Sequence, residues 1–183
     1  MLKRISLRDC NKPKVAIYSS FDEQLNHLDD ELIALTNTNR LKRTLVLHPL
    51  NSGVTRIKNF LEANQHFVER LEPTKQQSFS QDSIKIGTMS LNSGLEFENV
   101  FILDLNDSII PNPKGSNMAK IEHQIFNMRK IFYASLNCAT MNLFLFSGDK
   151  SNPSRFLQEL DPEYLEYFTL GESSNSNDDD FPF

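Results

Sequence analysis

An α/β fold, with a mostly parallel sheet flanked by helices, is what this sequence predicts. Short apolar, β-branched runs alternate along it with longer segments of helical period, the pattern left by repeated βα units. At 183 residues and 39% hydrophobic content, the chain has the length and apolar mass for one compact body. The expected layout is a lead-in over residues 1–13, an α/β domain over 14–169 and a disordered acidic tail over 170–183.

Val15-Ala16-Ile17-Tyr18 reads as the first strand. From Phe21 to Leu35 an amphipathic helix follows, with Leu25, Leu28, Leu32 and Leu35 on one stripe and Asp22, Glu23, Asp29 and Glu31 elsewhere. Thr44-Leu45-Val46-Leu47 is the next strand. A second helix is expected from Ser52, as N-cap, to Asn64, with Val54, Ile57, Phe60 and Leu61 facing inward. The Gln/Ser-rich stretch from Glu72 to Asp82 reads as a loop before the strand Ile84-Lys85-Ile86-Gly87-Thr88. Val100-Phe101-Ile102-Leu103 is a buried strand, and Pro111-Asn112-Pro113-Lys114-Gly115 breaks regular structure. A helix over 117–138 carries the stripe Ile121, Ile125, Met128, Phe132 and Leu136, and Met141 to Phe146 closes the sheet. Phe126, Phe132, Tyr133, Phe144 and Phe146 are expected in the core. No internal repeat is visible.

Composition excludes several function classes. The formal charge is -5, of which Glu172, Asp178, Asp179 and Asp180 carry four, so the body is close to neutral. A neutral body lacks the basic footprint of a strong independent nucleic-acid binder, apart from a local patch of Arg40, Lys42, Arg43, Arg56 and Lys58. Cys10 and Cys138, the only cysteines, have no metal-ligand spacing and read as thiols in a reducing compartment. Met1-Leu2-Lys3-Arg4 precedes no apolar signal core, and no run approaches the ~20 apolar residues of a membrane span. The cytoplasm is the expected location. His27, His48, His66 and His123 are scattered without partners at ligand or triad spacing, and no Gly-x-Ser-x-Gly occurs, so no metal and no catalytic residue is assigned.

The last six residues, Asp178-Asp179-Asp180-Phe181-Pro182-Phe183, follow the polar run Ser173-Ser174-Asn175-Ser176-Asn177. A terminal Phe offers a ring and a carboxylate at one point, which an apolar pocket rimmed by Arg or Lys can hold, and the aspartates steer it toward basic surface. The tip resembles the acidic C-terminal tail of bacterial single-stranded DNA-binding proteins. That resemblance implies docking to replication and repair enzymes that read such tails, and it implies that Phe183 is the true end of the chain.

Three blocks resemble the second motor domain of UvrD/Rep-like superfamily 1 DNA helicases from about Lys14 to Leu160, and so imply a RecA-like domain. In Thr88-Met89-Ser90-Leu91-Asn92-Ser93-Gly94-Leu95-Glu96-Phe97, the residues Thr88, Gly94, Leu95, Glu96 and Phe97 match the family's Thr-x-His-x-x-Lys-Gly-Leu-Glu-Phe, while Ser90 and Ser93 replace His and Lys. The run Arg129 to Ala139 is similar to Arg-Arg-Leu-Phe-Tyr-Val-Ala-x-Thr-Arg-Ala, with Asn137-Cys138 in place of Thr-Arg. Asn152-Pro153-Ser154-Arg155-Phe156-Leu157-Gln158-Glu159 matches the later Pro-Ser-Arg-Phe-Leu-x-Glu, and Ile110-Pro111 also fits the family.

The resemblance implies roles and losses residue by residue. Cys138 stands where the family Arg reaches the γ-phosphate of ATP, and a thiol cannot supply that planar permanent charge. Glu96 matches the Glu that contacts the nucleotide sugar, or else is only a turn carboxylate. Arg56 corresponds to a conserved basic position and with Glu96 forms a nucleotide-binding remnant. Thr88 lies at a DNA-contacting position, and Ser90, Asn92 and Ser93 can donate to phosphates; without the His and Lys, single-stranded DNA binding is expected to be weak or absent. No Gly-x-x-x-x-Gly-Lys-Ser/Thr occurs in these residues, and Asp29-Asp30-Glu31 sits on a polar helix face rather than at a Mg²⁺ site.

The expectation is therefore a non-catalytic replication or repair accessory protein, without cofactor, that binds readers of single-stranded DNA-binding protein tails. The alternative is the second half of a split or fragmented helicase, whose N-terminal half, on another polypeptide, supplies the P-loop that holds ATP and Mg²⁺. A third reading makes the chain a single-strand binder whose tail competes with DNA for its own groove.

Overall fold

The computed structural model describes residues 11–37, 43–71, 83–91, 96–148, 150 and 152–168. Seven strands form one sheet: β1 (Lys14–Ile17), β2 (Thr44–His48), β3 (Val68–Arg70), β4 (Ile84–Thr88), β5 (Phe97–Ile102), β6 (Ala139–Ser147) and β7 (Glu166–Phe168). Their order is β3-β4-β2-β5-β6-β1-β7, and every pairing is parallel. Parallel neighbours require crossovers, which here include the helices α1 (Phe21–Asn37), α2 (Asn51–Ala63), α3 (Met118–Leu136) and α4 (Arg155–Gln158). This is the RecA-like α/β architecture expected from the sequence.

A parallel sheet covered on both sides needs apolar residues at consecutive strand positions, and β2 is buried over its whole length. Val46, Ile86, Phe101, Phe144 and Phe146 meet Leu25, Leu28, Leu32, Val54, Ile57 and Leu61 from α1 and α2. Leu45, Leu47, Val100, Ile102, Leu143 and Leu145 meet Phe132, Leu136, Phe156 and Leu157 on the opposite face. Phe101 and Phe144 stack across β5 and β6 with centroids 4.3 Å apart. Truncation of such a fully buried ring costs about 3–5 kcal/mol.

Helix starts follow local chemistry. Ser20 Oγ caps α1 by accepting from Glu23 N at 3.2 Å, and Glu23 Oε2 accepts from Ser19 N at 2.7 Å, one residue before the cap. Asn117 caps α3 by accepting from Lys120 N at 3.1 Å. Ser52 does not cap α2. Leu50 occupies the cap position and no side chain caps the first turn; the Leu50 N–H itself donates to His48 Nδ1 at 2.9 Å.

Phe126 also departs from expectation, being 50% exposed. It lies one residue off the Ile121, Ile125, Met128, Phe132 stripe, about 100° round the helix, and Lys130 Nζ sits 4.3 Å from its ring centroid. Tyr133 is half-buried rather than core, within reach of Glu159 Oε2 at 3.5 Å. Two strands had no sequence signal: β3 and β7 are three residues each, too short to show a period. No described helix is long and apolar enough to cross a membrane.

Two carboxylates couple this packing to pH. The hydrogen bond from His27 holds Glu31 below the usual carboxylate range, and Arg155 does the same for Asp107. A depressed folded-state pKa contributes stability that is present above the unfolded value and lost as pH falls through the folded one. The urea midpoint should therefore drop between about pH 5 and 2, and Asp107→Asn should flatten that drop; an unchanged acid slope in the variant would contradict the assignment.

Candidate functional site

In a parallel sheet every strand begins at one edge and ends at the other, so loops deliver chemistry to two separate rims. The rim where strands begin gathers Glu96 and Cys138. Glu96 is exposed just before β5, Cys138 lies just before β6, and Phe97 N donates to Cys138 O at 2.8 Å. On the other side of β5 stands Arg43, whose carbonyl accepts from Glu98 N at 3.0 Å and Asn99 N at 3.3 Å. Arg43 Nη2 donates to Glu96 O at 3.2 Å, and its Nη1 lies 3.9 Å from Glu98 Oε1.

Beneath this rim a row of side chains crosses four neighbouring segments. Asn11 Nδ2 donates to Asn142 Oδ1 at 2.7 Å, Asn142 Nδ2 to Asn99 Oδ1 at 2.8 Å, and Asn99 Nδ2 to Thr44 Oγ1 at 3.3 Å. The pairs Asn99/Asn142 and Thr44/Asn99 are in register, so the amides tie the starts of β2, β5 and β6 together. β6 carries an extra residue between Ala139 and Asn142, and Thr140 Oγ1 donates to Phe97 O at 3.1 Å at that irregularity.

Cys138 itself faces inward. It is 2% exposed within the α3-side core, its Sγ is 3.5 Å from Ala134 O, and burial pushes its thiol up to about 11. At neutral pH the position is uncharged as well as short.

The rim where strands end holds the other sequence candidates. Thr88 closes β4 in register with His48 of β2, and its Oγ1 lies 3.0 Å from the hydroxyl of exposed Ser90. Asn92 and Ser93 fall outside the described residues, as does the tail Asp178, Asp179, Asp180, Phe181, Pro182 and Phe183. Arg56 belongs to this rim and to the α1/α2 face. It donates to Asp22 Oδ1 at 2.5 Å and lies 4.7 Å from the Phe21 ring centroid, so the structure does not bring it to Glu96. The basic patch is likewise divided: Arg43 stands at the opposite rim, Lys58 pairs with Glu62 at 2.6 Å, and Arg40 and Lys42 are outside the described residues.

The histidines were expected to lack partners at ligand or triad spacing; the fold brings three of them to carboxylates, while His123 Nδ1 lies 3.2 Å from Asn127 Nδ2. His27 meets Glu31 at 3.5 Å, His66 meets Asp29 at 2.6 Å and His48 meets Asp104 at 3.2 Å. Two of these contacts join residues 37 and 56 positions apart, which linear spacing cannot reveal. His48 is buried, and a Cβ on Gly53 would come within 2.2 Å of its ring, so α2 can pass over the imidazole only with glycine there. Asp104 also accepts from Asn106 Nδ2 at 2.5 Å and donates its N–H to Gln24 Oε1 at 2.8 Å.

The remaining resemblance blocks join each other. Arg129 donates to Glu159 from Nε, shared between Oε1 at 3.1 Å and Oε2 at 2.9 Å, and from Nη2 to Oε1 at 2.8 Å, and Arg155 grips Asp107 through Nε and Nη2 at 2.8 and 2.5 Å. Ser154 caps α4 and bonds Ile110 O, which brings the Pro-Ser-Arg-Phe run against the Ile110-Pro111 step.

The pattern of the UvrD-like helicase C-terminal domain matches residues 12–149. The chain belongs to the UvrD-like helicase C-terminal domain family. Among curated relatives, the ATP-dependent DNA helicase Rep of Buchnera aphidicola subsp. Schizaphis graminum is 33% identical over 96 residues, 48% of this chain and 14% of that protein. The Probable DNA helicase II homolog of Mycoplasma pneumoniae is 26% identical over 162 residues, 83% of this chain and 22% of that protein. The chain thus spans about a fifth or less of the length of these relatives. In fold it is similar to the crystal structure of the C-terminal domain of a possible DNA helicase from Lactobacillus plantarum WCFS1, with TM-score 0.66, 14% identity and 86% of each chain covered.

For this UvrD-like domain, the buried thiol is directly testable. With Cys138 at about 11 against ~8.5 for an exposed thiol, alkylation in the native protein near pH 8 should run at least ~100-fold slower than in the unfolded chain. Peptide mapping after iodoacetamide pulses reads this; equal labelling in both states would contradict the inward placement.

Proposed function

We propose that this helicase-type domain is a DNA replication or repair accessory protein that does not hydrolyse ATP unaided and that engages other proteins through its acidic, Phe-ended segment. The observation that carries the non-catalytic half is the position of Cys138: the residue aligned with the family arginine is packed into the core as a neutral thiol. The absence of a P-loop from these residues supports the same reading. Asp178-Asp179-Asp180-Phe181-Pro182-Phe183 supports the docking half, since it pairs one aromatic ring with several negative charges. The partners are the proteins that bind the tails of single-stranded DNA-binding proteins, in a cytoplasmic setting, with weak or no direct contact to single-stranded DNA through Thr88 and Ser90.

A second reading rests on the exposed Glu96 at the rim where strands begin. There a separate helicase N-terminal half contributes the P-loop, ATP and Mg²⁺, and this chain completes the site.

Capture on an immobilised tail reader separates the docking proposal from a mere solubilising tail. The full chain should bind at about micromolar strength, weaken with added salt, and lose capture when Phe183 alone is deleted. Undiminished capture by that variant would contradict docking.

A further inference from the structure

We infer that Arg43, immediately before β2, presents the guanidinium that meets the phosphates of a nucleoside triphosphate at this rim. The inference rests on the second reading above, that the rim around Glu96 faces a nucleotide.

Four observations carry it. First, Arg43, Glu96 and Cys138 precede the adjacent strands β2, β5 and β6. With neighbouring strands ~4.8 Å apart, Arg43 starts about two spacings from the Cys138 position, and its bond to Glu96 O on the intervening segment shows the side chain crossing toward it. Second, the guanidinium is available. Its side chain is 57% exposed, its Glu98 contact is long at 3.9 Å, and such a pair in water is weak enough to yield to a better anion. Arg56, Arg129 and Arg155, by contrast, hold carboxylates at 2.5–3.1 Å.

Third, the backbone at Arg43 is held in an unusual state. Its φ is 61°, in the left-handed region that favours glycine, and the two amides of Glu98 and Asn99 clamp its carbonyl there. The amide row below locks the same strand starts in register. Glycine or asparagine would sit here with less strain, and the side chain that is present is a long cation.

Fourth, the neighbours select the ligand class. A bare phosphate would meet Glu96 and Glu98 as well as Arg43 and gain little net attraction. A nucleoside triphosphate offers hydroxyl donors for a carboxylate and phosphate oxygens for a guanidinium, which matches a Glu and an Arg set side by side.

Metal-free ATP titrated into the full chain, followed by amide chemical shifts, tests this. The Glu96, Glu98 and Asn99 amides should shift, with inorganic tripolyphosphate and adenosine each binding more weakly than ATP. Arg43→Gly relieves the positive φ while removing the cation, so it should fold as well as the parent and weaken ATP binding about tenfold or more. Lys120→Ala, on the exposed face of α3, should bind as the parent does. Equal ATP affinity in Arg43→Gly and parent, or no shift of the rim amides in the parent, would overturn the inference. Neither result touches the docking reading, which Phe183 deletion tests on its own; tripolyphosphate binding as tightly as ATP would reduce the rim to a non-selective anion contact and overturn the nucleotide assignment.

Discussion

Parallel pairing of β2 with both β4 and β5 is the constraint on which the rest of the molecule depends. A strand hemmed in on both edges and covered on both faces can carry only side chains that tolerate burial, and β2 is Thr44-Leu45-Val46-Leu47-His48 with none exposed. Its two polar residues are at its ends, and each is satisfied there: Thr44 by Asn99, His48 by Asp104 and Leu50 N. The interior of the sheet is thereby closed to chemistry, and anything functional must be built on one rim or the other. Glu96, Arg43 and Cys138 belong to the rim where strands begin, Thr88, Ser90 and Arg56 to the rim where they end.

The separation of rims limits which groups can act at the Cys138 position. A buried uncharged thiol cannot be compensated by a residue on the far side of a sheet about 15 Å across. Only groups on β2, β5 and β6 can act at the same place, which makes Arg43 and Glu96 the relevant neighbours. The amide row of Asn11, Asn142, Asn99 and Thr44 gives that rim rigidity independent of any ligand. At the other rim, the His48 and Asp104 pair with its Gln24 and Asn106 contacts plays the corresponding structural part.

Much of the fold was legible because burial on both faces writes itself into short apolar runs: β1, β2, β4 and β6 overlap their predicted runs, and the Leu25, Leu28, Leu32, Leu35 stripe is buried as read. β5 begins earlier than its apolar run, at Phe97, because Glu98 and Asn99 join the ladder through backbone bonds that carry no hydrophobic signal. The family blocks singled out Glu96 and Cys138, each with its own role. They could not show which way Cys138 points, nor that Arg56 is committed to Asp22. Arg43 looked like one cation among several in a basic stretch, since neither its positive φ nor its approach to Glu96 has a local sequence mark. The histidine pairs escaped for the same reason, being made by the fold.

The central proposal is that this domain does not hydrolyse a nucleotide unaided, and it rests on Cys138 being a buried, neutral thiol at the position where the family resemblance puts an arginine. Phosphate release by the purified chain, supplied with a single-stranded oligonucleotide and Mg²⁺-ATP, measures it most directly. The account predicts release no faster than the protein-free background. Sustained turnover that disappears on Glu96→Ala would contradict it.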